Sequence, residues 1–113
     1  MQGATLVQKG HADIIARGSA PALHCTAAGA PRRCGGQGDV LAGTTGVFVA
    51  WAVASARRAG DQAAPDLALA AYAACLVTRT AAARAFEARK RSMVAGDLLG
   101  ELGAAIEAIA PCA

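Results

Sequence analysis

Two rhythms of apolar and polar positions divide the chain. From Ala4 to about Thr26, the short apolar runs ATLVQKG, ADIIARG and APALHCTA are broken by Gly and Pro, and each has a length that suits a strand. Beyond Gly38 the period becomes that of a helix. Val40, Thr44, Val47 and Trp51 share one helical face, with Leu41 and Phe48 beside them, before Arg57, Arg58 and Gly60 close the segment. DQAAPD (Asp61 to Asp66) reads as a loop leading into a first helical turn, after which Leu67, Ala71, Ala74, Val77 and Ala81 recur at helical spacing. Leu98, Leu99, Leu102, Ile106 and Ile109 form a third stripe, ended by Pro111. The pattern thus predicts short strands within about residues 4–26 and helices over about 38–58, 66–90 and 94–110.

Strands followed by helices fit either a compact α+β domain or the last part of a larger layered α/β fold. The second is preferred, because three short strands alone would expose sheet edges and one sheet face, which native proteins cover or pair. At 113 residues there is room for one small domain but little for a two-substrate cleft. Alanine dominates the apolar content, and Phe48, Trp51, Tyr72 and Phe86 are the aromatic residues, so close-packed helices with few large anchors are expected. The net charge of +3 is mild and scattered, and without a dense basic face nucleic acid is excluded as the expected partner. Cys25, Cys34, Cys75 and Cys112 show neither CxxC pairs nor metal spacing with His11 or His24, so neither a zinc site nor a disulfide framework is expected, and a reducing compartment is. The first residues lack a signal-peptide pattern. Val40 to Ala56 is uncharged but carries Gly43, Thr44, Thr45 and Gly46, which suits a buried helix better than a bilayer span, so the chain reads as soluble with no membrane partner. His24, in the third strand run, reads as a packed histidine rather than a proton carrier.

The chemistry concentrates in RRCGGQGDVLAG, Arg32 to Gly43. If Gly38 and Asp39 open a helix, its first N–H groups lack intrahelical partners and lie at the positive end of the macrodipole, where an anion is stabilised without any side chain. Gly35, Gly36 and Gly38 would add a concave backbone surface suited to a transferring phosphoryl group. Asp39 then has two readings. It complements the helix dipole, the commoner use of an acid there, or it takes the proton of a hydroxyl attacking a γ-phosphate. No Gly-Lys-Ser/Thr follows the glycines, so this is not a Walker A loop, and the spacing of Gly36, Gly38 and Gly43 misses the dinucleotide GxGxxG.

Four stretches carry a resemblance: TLVQKGHADIIARG, RRCGGQGDVLAG, GVFVAWA and RSMVAGDLLGELGAAI. In this order and spacing they resemble the C-terminal part of the eukaryotic ATP-dependent (S)-NAD(P)H-hydrate dehydratases, metabolite-repair enzymes of ribokinase-like fold. The resemblance implies an α/β architecture with a central, mostly parallel sheet flanked by helices. It implies that ATP, accompanied by Mg²⁺, phosphorylates the hydroxyl of hydrated NADH or NADPH, after which phosphate leaves and the ring double bond returns. It places Lys9, Gly10, His11, Ala12 and Asp13 in a first nucleotide-contacting segment. A second comprises Gly29, Ala30, Pro31, Arg32, Arg33, Cys34, Gly35, Gly36, Gln37 and Gly38, and Asp39 is implied both to touch the hydrate and to act as base. His11 and Ala12 stand where the family usually has a charged pair, and the stretch between Gly18 and Cys34 is about one residue longer than usual.

The resemblance further implies that the chain, residues 1–113, is a single partial domain whose upstream substrate-gripping half is absent, so that inactivity of the isolated chain is one expected outcome. The expected partners are the NAD(P)H hydrate and either a second copy or a complementary half; the expected location is the cytoplasm, with the mitochondrion as alternative. Two other readings stay open: a ribokinase-like kinase of small vitamin precursors, and a noncatalytic interaction module that retains a phosphate-binding glycine loop.

Overall fold

The computed structural model describes residues 3–60 and 64–112. Three strands, β1 (Thr5–Gln8), β2 (Asp13–Arg17) and β3 (Leu23–Cys25), precede helices α1 (Gln37–Ala59), α2 (Leu67–Arg89), α3 (Ala95–Leu99) and α4 (Leu102–Ile109). The architecture is α/β, as the two rhythms predict. Asp61, Gln62 and Ala63, from the expected DQAAPD loop, lie outside the described residues. The chain divides into two compact units: Met1–Thr26 with Thr45–Cys75, and Ala27–Thr44 with Leu76–Ala113.

In the first unit the strands form a sheet of order β1-β2-β3 with both pairings antiparallel. A parallel pairing needs a crossover of a dozen or more residues, and the connections at 9–12 and 18–22 are too short for one. These strands therefore pair unlike the mostly parallel sheet implied by the resemblance. Burial follows the pleat: Asp13 and Ile15 are buried on β2, and Cys25, opposite Asp13, is buried beside them. The same alternation turns His24 outward opposite Ile14, so it is exposed rather than packed. Arg17 Nη1 closes the open end of the hairpin, donating to the Gly3 carbonyl at 2.9 Å and to Thr5 Oγ1 at 2.7 Å.

The helical part of this unit begins α2 with Asp66 as N-cap, its Oδ1 accepting the Leu69 N–H at 3.0 Å. Ala70, Ala71, Ala74 and Cys75 are buried along α2. The apolar stripe of α1 fares differently. Val47 and Trp51 remain 47% and 54% exposed, and of the described residues of α1 only Leu41 is buried, so the helix is not the buried one that its sequence predicts. By length and composition alone α1 could cross a bilayer, a test that the core helix of a soluble protein also passes.

In the second unit, Ala82, Ala85, Met93 and Leu98 form a core against which Ala30, Cys34, Val40 and Phe86 pack. Lys90 ends α2 in the left-handed region, φ 52°, and a 3₁₀ turn, Lys90–Ser92, leads to Met93. Asp97 Oδ2 accepts the Val94 N–H at 2.8 Å, opening α3. The single helix expected over 94–110 is two. At the junction the Glu101 N–H bonds to the Leu98 carbonyl at 3.0 Å, an i→i+3 turn, and the residues between α3 and α4 include Gly100, a poor helix former.

Candidate phosphate site and flanking turns

Within the second unit, Gly36 starts α1. Its φ of 98° favours glycine, and an added Cβ would stand 2.9 Å from the Ala95 Cβ. Its carbonyl accepts the Val40 N–H at 3.2 Å, the first rung of the helix. The amides of Gln37, Gly38 and Asp39 consequently precede the helical ladder, and among the described residues nothing accepts from them. Asp39, in that first turn, is exposed and has no side-chain partner among the described residues. Gly35 and Gly38 differ from Gly36: neither has a positive φ, and a Cβ at either would meet nothing within 4 Å.

The approach to this turn is braced from inside the unit. Gln37 Nε2 donates to the Arg32 carbonyl at 3.2 Å and to Cys34 Sγ at 3.0 Å. Arg32 Nε donates to the Met93 carbonyl at 2.9 Å, so this guanidinium is engaged in holding the loop. Gly29 lies against the Arg79 stem, while Arg79 Nη1 donates to the Ala27 carbonyl at 3.0 Å. Ala30 and Cys34 pack on the core, whereas Pro31 and Arg33 are exposed. Of the segment Gly29–Gly38, then, the first part is anchored by packing and the last part offers open backbone.

The other sequence-derived segment, Lys9–Asp13, belongs to the first unit and connects β1 to β2. One carboxylate gathers a backbone amide and a cation of this turn. Asp13 Oδ1 accepts the Gly10 N–H at 3.3 Å and lies 3.5 Å from Lys9 Nζ. Asp13 is fully buried while Lys9 is 53% exposed. His11 is exposed and Ala12 partly so. Sequence reasoning missed a neighbour here: Cys75, buried on α2, lies close enough to Asp13 for its thiol to feel that charge. Burial, the Asp13 charge and nearby Cys25 push this thiol up to about 11. No local pattern around Cys75 marks it, but the alternation of Asp13 with Ile15 on one strand face signals that the carboxylate is turned inward.

The sequence profile described as NAD(P)H-hydrate dehydratase matches residues 1–103. The chain is 43% identical over 101 residues to the ATP-dependent (S)-NAD(P)H-hydrate dehydratase of Homo sapiens, covering 89% of the chain and 28% of that protein. It is 38% identical over 111 residues to the protein of that name from Dictyostelium discoideum, covering 95% and 36%, and 39% identical over 113 residues to that from Vitis vinifera, covering 96% and 31%. The chain spans about a third of the length of these curated relatives. With a glycine turn that leaves three amides open beside an acid, and with this likeness along nearly all its residues, the chain belongs to the NAD(P)H-hydrate dehydratase family.

Proposed function

We propose that the chain carries the phosphate-binding turn and the catalytic base of an ATP-dependent (S)-NAD(P)H-hydrate dehydratase. The observation that carries the reading is the entrance of α1, where the Gln37, Gly38 and Asp39 amides have no acceptor among the described residues and the Asp39 carboxylate stands free beside them. Gly35 and Gly38 support it, since no positive φ and no neighbouring atom accounts for glycine there, whereas close approach of a phosphate to the main chain does.

In this reading the amides hold the phosphoryl group of ATP as it moves, and Asp39 accepts the proton of the hydrate hydroxyl as its oxygen bonds to the γ-phosphorus. ADP departs. The carbon–oxygen bond then breaks with phosphate as leaving group, a proton leaves the neighbouring ring carbon, and the dihydropyridine double bond is restored. Lys9–Asp13 contributes to nucleotide binding through the backbone at Gly10 to Ala12 and the Lys9 ammonium. The exposed Arg33 adds positive charge to the second segment. Among the described residues no group of three or more His, Cys, Asp or Glu side chains gathers to hold a metal. Mg²⁺ would accompany ATP and would supply charge neutralisation at its phosphates. Most of the grip on the hydrated ring comes from sequence corresponding to the remaining length of the relatives.

The test is incubation of NADHX and ATP with the chain, and with a form extended to the relatives' length, each beside Asp39→Asn. Recovery of dihydronicotinamide absorbance is expected, with kcat at least about a hundredfold lower in the variant. Accumulation of a stable phosphorylated alcohol would instead mark a small-molecule kinase, and unchanged turnover in Asp39→Asn would remove Asp39 as base.

A further inference from the structure

Between β3 and α1 the chain runs through residues 26–36 without helix or strand, and Gly35 and Gly36 widen the conformations open to the end of that stretch. Amides that hold a phosphoryl group must nonetheless stand in one place, because donors that have to reorganise lose their advantage. Two contacts supply the fixed point, and both are made to the turn before α3. Arg32 Nε donates at 2.9 Å to the carbonyl of Met93, a residue that is 0% exposed. Gly36 lies so close to Ala95 that an added Cβ would stand 2.9 Å from the Ala95 side chain. Gln37 Nε2 closes the loop between them, donating to the Arg32 carbonyl at 3.2 Å. Arg32 is therefore tied through its side chain to the core turn and through its main chain to the first residue of α1. The donor that faces Met93 is the inner N–H of the guanidinium, and a neutral urea head of the same shape would keep it.

We propose that Arg32 is a positioning residue for the phosphate turn: its Nε–H anchors the loop to Met93, its carbonyl holds Gln37, and the amides of Gln37, Gly38 and Asp39 take their place from that anchor. The proposal rests on the reading of those amides as the phosphate site. It parts Arg32 from Arg33, two cations that the sequence presents as equivalent. Arg33 is exposed and has no hydrogen-bond or ion-pair partner among the described residues, so its charge is what it can offer to ATP. Arg32 serves instead by the direction of one N–H, and touches no phosphate in this scheme.

The experiment separates the N–H from the charge. Native chemical ligation at Cys34 joins a synthetic segment 1–33 to residues 34–113, so that citrulline, which keeps Nε–H and carries no charge, can replace Arg32 or Arg33 in the full chain. NMR shifts of the Gln37, Gly38 and Asp39 amides report the turn without ligand, and titration with ATP at several salt concentrations gives Kd and its ionic-strength dependence. Citrulline in place of Arg32 should leave the amide shifts unchanged and, at physiological salt, Kd within about threefold of wild type. Arg32→Leu removes the donor; it should move the amide shifts and weaken ATP roughly tenfold. Arg32→Met carries the same expectation if Arg32→Leu does not fold. Citrulline in place of Arg33 should leave the shifts in place while lowering affinity and flattening the salt dependence. Equal loss of affinity with citrulline in place of Arg32 and in Arg32→Leu, or wild-type shifts and Kd in Arg32→Leu and Arg32→Met, would overturn the proposal. The expected shifts, with no response of these amides to ATP in any form, would uphold the tether and overturn the phosphate reading of the turn.

Discussion

Gly36 and Gly38 are near neighbours that answer to different demands. Gly36→Ala places a methyl group against Ala95 at 2.9 Å on a backbone of φ 98°, so a loss of about 1–3 kcal/mol in unfolding free energy by urea titration is expected. Gly38→Ala meets nothing and sits in the first helical turn, where alanine should gain about 0.5–1 kcal/mol, yet the methyl group intrudes where phosphate is proposed to lie. Higher stability with weaker ATP binding is the expected result, and unaltered ATP affinity would count against the site. Cys75 makes a prediction of another kind. Its thiol, ordinarily titrating near 9.0, is raised to about 11 in the folded chain. The folded state thus favours the protonated thiol; that contribution is fully present below pH 9 and is lost as pH rises toward 11, because the unfolded chain ionises first. Unfolding followed across this interval should show falling stability, with a shallower slope in Cys75→Ala.

At the scale of elements, the strand runs were legible because Gly and Pro punctuate them, and α2 because Asp66 caps it and small apolar residues recur along it. The split of the last helix was not. Leu98, Leu99, Leu102, Ile106 and Ile109 continue the apolar stripe across Gly100, and periodicity does not register a single i→i+3 turn. Gly100 has φ −67° and ψ −18°, a conformation open to alanine, and a Cβ there would meet only ordinary contact at 3.9 Å. Gly100→Ala should therefore raise stability by up to about 1 kcal/mol, measured as a shift in the urea midpoint at constant slope. Arg84 Nε, 2.9 Å from Glu101 Oε2, lies at the same junction, but both side chains meet solvent and their removal should change stability by less than about 1 kcal/mol.

For the molecule as a whole, the sequence disclosed the α/β order and the family through RRCGGQGDVLAG and TLVQKGHADIIARG, because chemistry at a backbone turn leaves its mark as glycines in one short stretch. It did not disclose that the buried Cys75 thiol lies near the Asp13 charge, since the two are distant in sequence and carry no motif. Nor did it disclose the exposure of α1: an apolar stripe states that a face suits burial, not whether the residues at hand cover it. That face borders an open groove of about 510 Å³ in the first unit, lined by Phe48, Trp51, Ala52, Pro65 and Leu69 among others. Trp51 stands edge-on to Phe48, ring centroids 5.3 Å apart. As the sole tryptophan, it makes the chain its own optical probe: emission on excitation of the indole comes from this one spot on α1. The expected spectrum is red-shifted and readily quenched by acrylamide, and any segment or second copy that seats on α1 should announce itself by a blue shift and a fall in the quenching constant.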